Sequence, residues 1–320
     1  MFGLGIYKQE EYMRMGSERR FSGPSVAYNL LQVGDNPSED QIRLFEDISV
    51  TLRTSNGTFR TSFRNRFQDV DAASIELLKR FFPVESAIRV EDRAASHGLT
   101  SCEWAKRLLP VFPAAEVEGS DRLLQLLELS VDGRLVDDSE VFITETDGTP
   151  LQYIKPPFVL SLYHPESWRN PLRRWAAVWA RKRFAGLGLP DAWFEQSQGP
   201  GYRVRTIPYI HPEAAALAKS DPRFTFRHRS VFDRSPIPCH VLRTMNIFNL
   251  AYFAAERLEE GYRAIFDCLQ PGGIWIVGRT LEEDLTNHAT FFRRSANGWE
   301  VLDRIGGGWD LEAMALGLAR

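Results

Sequence analysis

Short apolar segments alternate with amphipathic segments in two separate parts of the chain. The first part predicts a buried strand at 86–92, a helix at about 100–109 with Trp104 on its apolar face, and a second strand at 115–119. The second part predicts three strands and one long helix, namely strands at 223–231, 239–245 and 274–278 and a helix at 252–269. Strand–helix–strand units at this spacing are typical of a parallel sheet covered by helices.

Near the C-terminus, the alternation of strands and helices ends and a hairpin is predicted. Two strands are predicted near 290–294 and 299–303, and Asn297-Gly298 supplies a tight turn between them. The predicted fold class is therefore α/β, a doubly wound Rossmann-like sheet that ends in an antiparallel hairpin. An inserted β-hairpin and helix element interrupts it.

The first 70 residues predict an irregular arm followed by a small β-ribbon. Polar and small residues dominate the start, as in Gly16-Ser17. Apolar and polar residues then alternate through 48–52 and 59–63, on either side of the turn signal Asn56-Gly57. We predict an α/β domain over 71–320, with Asp71 capping its first helix.

Residues 130–220 break the α/β rhythm, and we interpret them as an insertion that serves as a lid or substrate element. A helix is predicted just before it, at Leu123-Leu124-Gln125-Leu126-Leu127. Hairpins are predicted inside it, around 141–143 and 151–154, with turns at 131–134 and 145–148. A helix from about Asn170 to Phe184 follows.

The segment 168–184, which contains this last helix, combines tryptophans with basic residues. Trp168, Trp175 and Trp179 fall near one helical face, and the basic residues are Arg169, Arg173, Arg174, Arg181, Lys182 and Arg183. One interpretation is a surface helix whose tryptophans pack on the core. The functional interpretations are binding of an anionic substrate, a nucleic acid or an anionic membrane surface.

Composition narrows the classes of function. The chain has 320 residues, 43% of them hydrophobic, and a formal charge of −3, which argues against a nucleic-acid-binding protein. No apolar run reaches the length of a membrane span, and the start of the chain has no secretory pattern. Three scattered cysteines predict free thiols and a cytoplasmic location. The six histidines show no metal-ligand spacing, so no metal site is expected.

The candidate chemistry begins with the turn after the first strand. Asp92 ends the strand, and small residues follow at every second position: Ala94, Ser96 and Gly98. A tight turn of this kind lets a ligand approach the backbone at the start of the next helix. Asp92 is positioned to hold a cationic amino end, and His97 lies within the same turn.

A second acid lies at the end of the second strand. Asp121 follows the turn by the 20–30 residues at which an acid accepts both ribose hydroxyls of a bound nucleotide cofactor. The turn and this acid together predict an adenosine-type cofactor. The same residues are also compatible with a βα turn whose small side chains serve packing alone.

The C-terminal half resembles the class I S-adenosylmethionine-dependent methyltransferases, and most closely their chemotaxis-receptor branch. The resemblance rests on Pro271-Gly272-Gly273 before an apolar strand, on the final hairpin, and on Arg243 and Asn246 at the end of an apolar strand. It covers about 86–128 and 223–303. The first motif is degenerate, since Ala94 and Ser96 stand where the family prefers glycine, and Ser230 stands where many members carry an acid or amide.

The resemblance implies a set of cofactor-binding residues for S-adenosylmethionine. Asp92, Ala94, Ser96, His97 and Gly98 would lie on its methionine and ribose side. Asp121 would bind the ribose, Val231 and Phe232 would lie near the adenine, and Asn246 would face the cofactor. No catalytic residue is implied, because displacement at a methyl carbon depends mainly on alignment.

Three functions stay open at this point. The first is methyl transfer to a small-molecule or peptidyl acceptor, which is not identified further. The second is a catalytically inactive, methyltransferase-like binding or scaffold protein, suggested by the missing glycines. The third, a nicotinamide-dependent oxidoreductase, fits the Pro-Gly-Gly turn and the hairpin order poorly.

Overall fold

The computed structural model describes residues 5–14, 25–34, 36–55, 60–132, 140–163 and 171–317. The chain divides into two compact units, each built from two segments. The first, here called the N-terminal unit, comprises Met1–Thr61 and Leu123–Pro212, and the second, the α/β unit, comprises Ser62–Arg122 and Glu213–Arg320.

The helices and strands alternate irregularly along the chain. The described residues form eight α-helices: α1 (Gln9–Arg14), α2 (Glu39–Ser49), α3 (Gln68–Phe81), α4 (Leu99–Leu108), α5 (Pro171–Ala185), α6 (Pro212–Ser220), α7 (Ala255–Cys268) and α8 (Glu312–Leu316). They also form thirteen strands: β1 (Arg89–Arg93), β2 (Glu116–Asp121), β3 (Gln125–Val131), β4 (Glu140–Thr144), β5 (Pro150–Lys155), β6 (Phe158–Ser161), β7 (Gln198–Gly199), β8 (Tyr202–Pro208), β9 (Phe224–His228), β10 (Cys239–Met245), β11 (Leu269–Thr280), β12 (Asn287–Ser295) and β13 (Gly298–Ile305).

The α/β unit is built on a seven-stranded sheet in the order β13-β12-β11-β10-β1-β2-β9. The strands β9, β2, β1, β10 and β11 run parallel to one another. In contrast, β12 pairs antiparallel with β11, and β13 pairs antiparallel with β12. The chain starts in the middle with β1, moves outward through β2 to β9, and then returns to β10 on the other side of β1. This is the doubly wound order, with its switch point between β1 and β10. The predicted fold class is confirmed, including the C-terminal hairpin.

Helices cover both faces of this sheet, but not evenly. Between β1 and β2, α4 buries Trp104 and Leu108. Between β10 and β11, α7 buries Tyr262 against Trp275, with ring centroids 5.7 Å apart. Each such side chain contributes roughly 1.5–3 kcal/mol by leaving water. Residues 229–238 are different, because they connect β9 to β10 without a helix.

The N-terminal unit contains a six-stranded antiparallel sheet in the order β6-β5-β4-β3-β8-β7. Its alternating side chains form two apolar clusters. One joins Leu126 and Ile143 to Leu44 and Phe45 of α2. The other joins Leu129, Phe142, Tyr153 and Tyr202 to Ala177 and Ala180 of α5. The hairpins predicted around 141–143 and 151–154 are confirmed as β4 and β5.

Three sequence predictions of local structure are wrong, and the first is the β-ribbon, since neither 50–52 nor 60–63 belongs to a strand. Residues 39–49 form α2 in place of the first ribbon strand, because Ser38 and Gln41 make a reciprocal capping box and Leu44, Phe45 and Ile48 then follow helical spacing. Leu123–Leu127 is not helical, since Gln125 begins β3, which pairs with both β4 and β8. Tertiary pairing here overrides the helical propensity of leucine.

The third error concerns Asp71, which does not cap its helix. The helix α3 already begins at Gln68, and Asp71 lies buried one turn inside it. Several further predictions lie outside the described residues: Gly16-Ser17, Asn56-Gly57, the Gly133-Arg134 end of one turn, and Trp168, Arg169 and Asn170.

An ion-pair cluster joins α6 to α4 within the α/β unit. The Glu213 carboxylate accepts from Lys106 Nζ at 2.8 Å and from an Arg64 nitrogen at 2.6 Å. Burial alone would raise the pKa of Glu213, but these two cations outweigh it and hold the pKa at about 2. The carboxylate is therefore ionised well below the usual range of a glutamate.

We expect Glu213→Gln to lower the free energy of unfolding by about 1 kcal/mol, since the pair is partly screened by solvent. A depressed pKa stabilises the folded state above the ordinary value of 4.5 and loses that effect as the pH falls toward 2. Urea denaturation of both proteins at pH 7 and pH 3 measures the difference, which should be smaller at pH 3. Glu116→Gln at the exposed start of β2 is the control, and an equal loss in both variants would contradict the assignment.

Candidate functional site

The turn between β1 and α4 has an unusual backbone. Ala94, Ser96 and Gly98 all have positive φ angles, of 59°, 55° and 81°. Only glycine adopts this region without a steric cost, which is about 1–2 kcal/mol for another residue. The chain therefore keeps the conformation that glycine favours at all three positions, although only one of them is glycine.

Gly98 is required for a second reason. A Cβ atom built there would lie 2.3 Å from the ring of Phe226 in β9. Phe226 also lies against Gly119 of β2, where a Cβ atom would come within 2.7 Å of the ring. The aromatic ring thus packs directly on two backbone segments, and this packing fixes the end of the turn at the start of α4.

Asp121 closes the other side of the turn. The Ser96 backbone N–H donates to Asp121 Oδ2 at 2.8 Å, and the Ala95 N–H donates to the Ser120 carbonyl at 3.0 Å. The backbone of Asp121 in turn accepts from the Arg229 N–H at 3.0 Å. The ends of β1, β2 and β9 are therefore joined, and the structure brings two predicted site residues, Ser96 and Asp121, into direct contact.

Asn246 lies at the other flank of the switch point, at the end of β10. It has a positive φ of 59°. Its side-chain oxygen accepts from the Thr280 N–H at 2.7 Å, and its Nδ2 donates to the Thr280 hydroxyl at 3.3 Å. The amide thus connects the ends of β10 and β11.

Asp92 has a partner that sequence reasoning did not assign. Arg243 of β10, its neighbour in register, donates to Asp92 from Nε at 2.8 Å and from Nη2 at 2.6 Å. The Ser101 hydroxyl also donates to this carboxylate, at 2.5 Å. The carboxylate of Asp92, which we predicted to hold the amino end of a ligand, is therefore bonded to an internal guanidinium.

The same guanidinium contacts α3 and α4. Arg243 Nη1 donates to Asp71 at 2.5 Å, and the cation lies 4.2 Å from the ring centroid of Trp104. Arg107 is a second partner of Asp71. Burial alone would lower the pKa of Arg243, but the two carboxylates outweigh it and raise the pKa. Burial raises the pKa of Asp71 to about 6, and the two arginines act against this rise.

The remaining predicted residues are packed inside the unit. His97 is fully buried within the turn. Val231 belongs to the apolar cluster around α7, and its carbonyl accepts from Arg93 at 3.3 Å. Phe232 packs edge-on against Phe253 and beneath the Arg257 guanidinium, which lies 3.8 Å from the ring centroid.

A buried ionic network, which the sequence did not predict, lies on the opposite face of β1. Glu91 accepts from Arg93, from Arg229 at 3.1 Å and from the Ser235 hydroxyl at 2.7 Å. Arg229 pairs with Glu118 as well, at 2.7 Å. The available signal was that Arg89, Glu91 and Arg93 lie at alternate positions, and so on one face, of a strand expected to be buried. Among the described residues, no group of His, Cys, Asp or Glu side chains is placed to hold a metal ion.

Comparison with known proteins adds little to this geometry. No protein-family model matches the chain, and no curated protein matches it. Among solved structures, a candidate O-methyltransferase from Nostoc punctiforme is 15% identical, over 68% of this chain and 39% of its own, with a TM-score of 0.32. An O-methyltransferase family protein from Burkholderia thailandensis is 14% identical, over 77% and 43%, with a TM-score of 0.31.

A third structure aligns along almost the whole chain. It is a candidate protein-L-isoaspartate O-methyltransferase from Plasmodium falciparum in complex with S-adenosyl-L-homocysteine, 14% identical over 93% of this chain and 92% of its own, with a TM-score of 0.31. This chain spans less than half the length of the first two structures. Since all three TM-scores are below 0.5, the fold assignment rests on the strand order described above.

We expect Ala94→Gly and Ser96→Gly each to raise the free energy of unfolding by about 0.5–1 kcal/mol. Each change removes the steric cost of a positive φ, which exceeds the extra chain entropy of glycine in the unfolded state. Chemical denaturation measures the change. Ala95→Gly is the matched control, because Ala95 lies between them without a positive φ and should lose stability. If all three changes lowered the free energy of unfolding, the backbone at Ala94 and Ser96 would not be strained.

We expect Arg243→Met to destabilise the protein by about 3–5 kcal/mol, because it leaves the buried Asp92 and Asp71 carboxylates without their shared cation. Arg243→Lys should also be destabilising, since an ammonium cannot donate to both oxygens of Asp92 in the same geometry. Urea midpoints measure both. Arg279→Met, at a half-exposed ion pair with Asp310, is the control and should change stability by less than about 1 kcal/mol. If Arg243→Met lost no more stability than Arg279→Met, the pairing of Arg243 with Asp92 and Asp71 would not be central to the fold.

Proposed function

We propose that this protein is an S-adenosylmethionine-dependent methyltransferase that acts on a small-molecule or peptidyl acceptor. The observation that carries the proposal is the β1–α4 turn, where three alternate residues adopt left-handed backbone at the switch point of a doubly wound sheet. Strained backbone of this kind is characteristic of ligand-binding sites. Ligands of such sheets bind at the carboxyl ends of the strands, beside the switch point.

The residues around the turn fit an adenosine-type cofactor in most respects. Ala94 and Ser96 are small and only half-buried, so the backbone is open to close approach. Asp121 accepts from the Ser96 N–H, and a carboxylate is an acceptor of the kind that ribose hydroxyls require. Gly98, His97 and the start of α4 would line the same side, Val231 and Phe232 the adenine side, and Asn246 the far flank.

One predicted contact does not fit. The carboxylate of Asp92 is bonded by Arg243 and Ser101, so it is not available to a cationic amino group. In this proposal the amino end of the cofactor is held by backbone carbonyl groups of the turn.

The chemistry places modest demands on the chain. When bound, S-adenosylmethionine supplies a methyl group activated by its sulfonium. The residues of the turn hold the cofactor in one orientation, and the surrounding side chains exclude water from the line of attack. Alignment of two reactants in this way can account for much of the rate enhancement without a dedicated base.

A second candidate function is a binding protein of the same fold that no longer catalyses methyl transfer. It is favoured by the internal pairing of Asp92, which removes one charged contact from the site. Its cofactor would still bind at the turn, more weakly and without a reactive geometry.

Calorimetry with S-adenosylmethionine and S-adenosylhomocysteine tests both functions. We expect binding by the native chain and at least about tenfold weaker binding by Asp121→Asn, the loss of roughly 1.4 kcal/mol or more for a charge-assisted hydrogen bond. The asparagine oxygen can still accept from Ser96, so the turn is preserved. Asp303→Asn on β13 is the control, with no expected change.

Formation of S-adenosylhomocysteine in the presence of hydroxyl, carboxylate and peptide acceptors separates the two candidates. Product formation supports the methyltransferase, and binding without product supports the inactive protein. No binding up to about millimolar ligand overturns both.

A further inference from the structure

The helix α5 of the N-terminal unit exposes its large apolar side chains and buries its small ones. Ala177 and Ala180 are at most 3% exposed and pack on the sheet with Phe142 and Tyr153. Four large residues of the helix are exposed to the following extents: Trp175 65%, Leu172 60%, Trp179 44% and Val178 38%. Trp179 also packs edge-on against Tyr153, with ring centroids 5.7 Å apart. A helix that only covers its own sheet has the opposite arrangement.

The four exposed residues form one continuous face. Leu172, Trp175 and Val178 follow one another at intervals of three residues, and Trp179 lies one turn beyond Trp175. Side chains at these spacings are neighbours on a helix surface. We call these four residues the α5 apolar face. Contiguous exposed apolar surface of this kind marks an interaction site.

Charge identifies the kind of partner. The helix carries five basic residues and no acidic residue: Arg173, Arg174, Arg181, Lys182 and Arg183. Lys182 and Arg174 are exposed beside the apolar face, and Arg183 is exposed while pairing with Glu140 at 3.0 Å. The chain as a whole has a formal charge of −3, so these cations are concentrated locally. The partner surface must therefore be both apolar and anionic.

Two other partners fit less well. A second copy of the chain would bring two sets of cations together if the faces paired with each other, and like charges oppose that contact. A nucleic acid would use the tryptophans for stacking and the arginines for phosphates. It would leave Leu172 and Val178 without an apolar environment, whereas a lipid surface accommodates all four residues.

We propose that α5 binds the surface of membranes that contain anionic phospholipids. The apolar face enters the boundary between headgroups and acyl chains, and the flanking cations contact lipid phosphates and carboxylates. This is the arrangement of an interfacial amphipathic helix, which lies in the plane of the membrane. None of the helices among the described residues is long and apolar enough to cross a membrane. The inference does not depend on cofactor binding.

Vesicle flotation with the full chain tests the proposal. We use vesicles of pure phosphatidylcholine and vesicles of phosphatidylcholine and phosphatidylserine in a roughly three-to-one ratio. We expect the chain to float with the anionic vesicles at least about fivefold more than with the neutral ones, and this excess to fall as salt screens the cations.

Matched variants identify the surface that binds. Trp175→Ala should reduce flotation at least about tenfold, and Trp175→Phe should retain part of it, since interfacial binding scales with buried apolar area. Arg174→Gln combined with Lys182→Gln should abolish the preference for anionic vesicles. Leu285→Ala is the apolar control, because Leu285 is 58% exposed in the α/β unit, and Arg263→Gln is the charge control.

Two results of the flotation experiment would overturn the binding of α5 to anionic membranes. Equal flotation with both vesicle types, or flotation that Trp175→Ala leaves unchanged, overturns the proposal. Binding to a single-stranded oligonucleotide but not to vesicles would assign the face to nucleic acid instead. Circular dichroism of each variant establishes that the fold is retained, so that a loss of flotation reports the surface itself.

Discussion

The buried guanidinium of Arg243 is the interaction on which the α/β unit depends. It lies between the central strands and two helices, and it bonds to the carboxylates of Asp92 in β1 and Asp71 in α3. It also donates to the Thr100 carbonyl at 3.2 Å, in the first turn of α4. Removing a charge from water is costly unless every partner is in place. The pairing therefore specifies the positions of α3 and α4 on the sheet more strictly than apolar packing alone would.

This positioning matters for the turn that precedes α4. The turn is short and has three residues in left-handed backbone, so it stores strain. Arg243 fixes the helix on one side of it, and Asp121 fixes Ser96 on the other. Strained backbone persists only where the surrounding structure determines it in this way. The ion pair and the candidate binding site are thus parts of one arrangement, in which the carboxylate of Asp92 accepts from Arg243 and Ser101.

The sequence predicted the order of strands and helices in the α/β unit, because buried strands and amphipathic helices leave clear periodic patterns. It also predicted the turn and the acid at the end of β2. It could not predict that Arg243 pairs with Asp92, since residues 151 positions apart come together only through the strand order. The capping signal at Ser38 indicates the helix α2, whereas the short alternation of apolar and polar residues at 48–52 favoured a strand.

The N-terminal unit shows a second limit of prediction from the sequence, because its tertiary contacts decide its local structure. The leucines of β3 carry helical propensity, and their strand conformation follows from pairing on both sides. The tryptophans of α5 suggested a core-facing side, yet its buried residues are alanines, and Trp179 packs on Tyr153 while staying 44% exposed. Periodicity indicates that two faces of a helix differ. It does not indicate which face meets the protein when both contain apolar residues.

The connection from β9 to β10 without a helix has a consequence for how the sheet responds to temperature. On the face where α7 lies, aromatic packing around Trp275 holds the strands, and apolar attraction of this kind weakens on cooling. Beside it, Glu91, Arg93, Glu118 and Arg229 hold β1 and β2 through buried ion pairs, whose desolvation cost falls on warming. The two regions of one sheet face therefore respond to temperature in the same direction, since both become less stabilising on cooling, although one does so through apolar packing and the other through ion pairs.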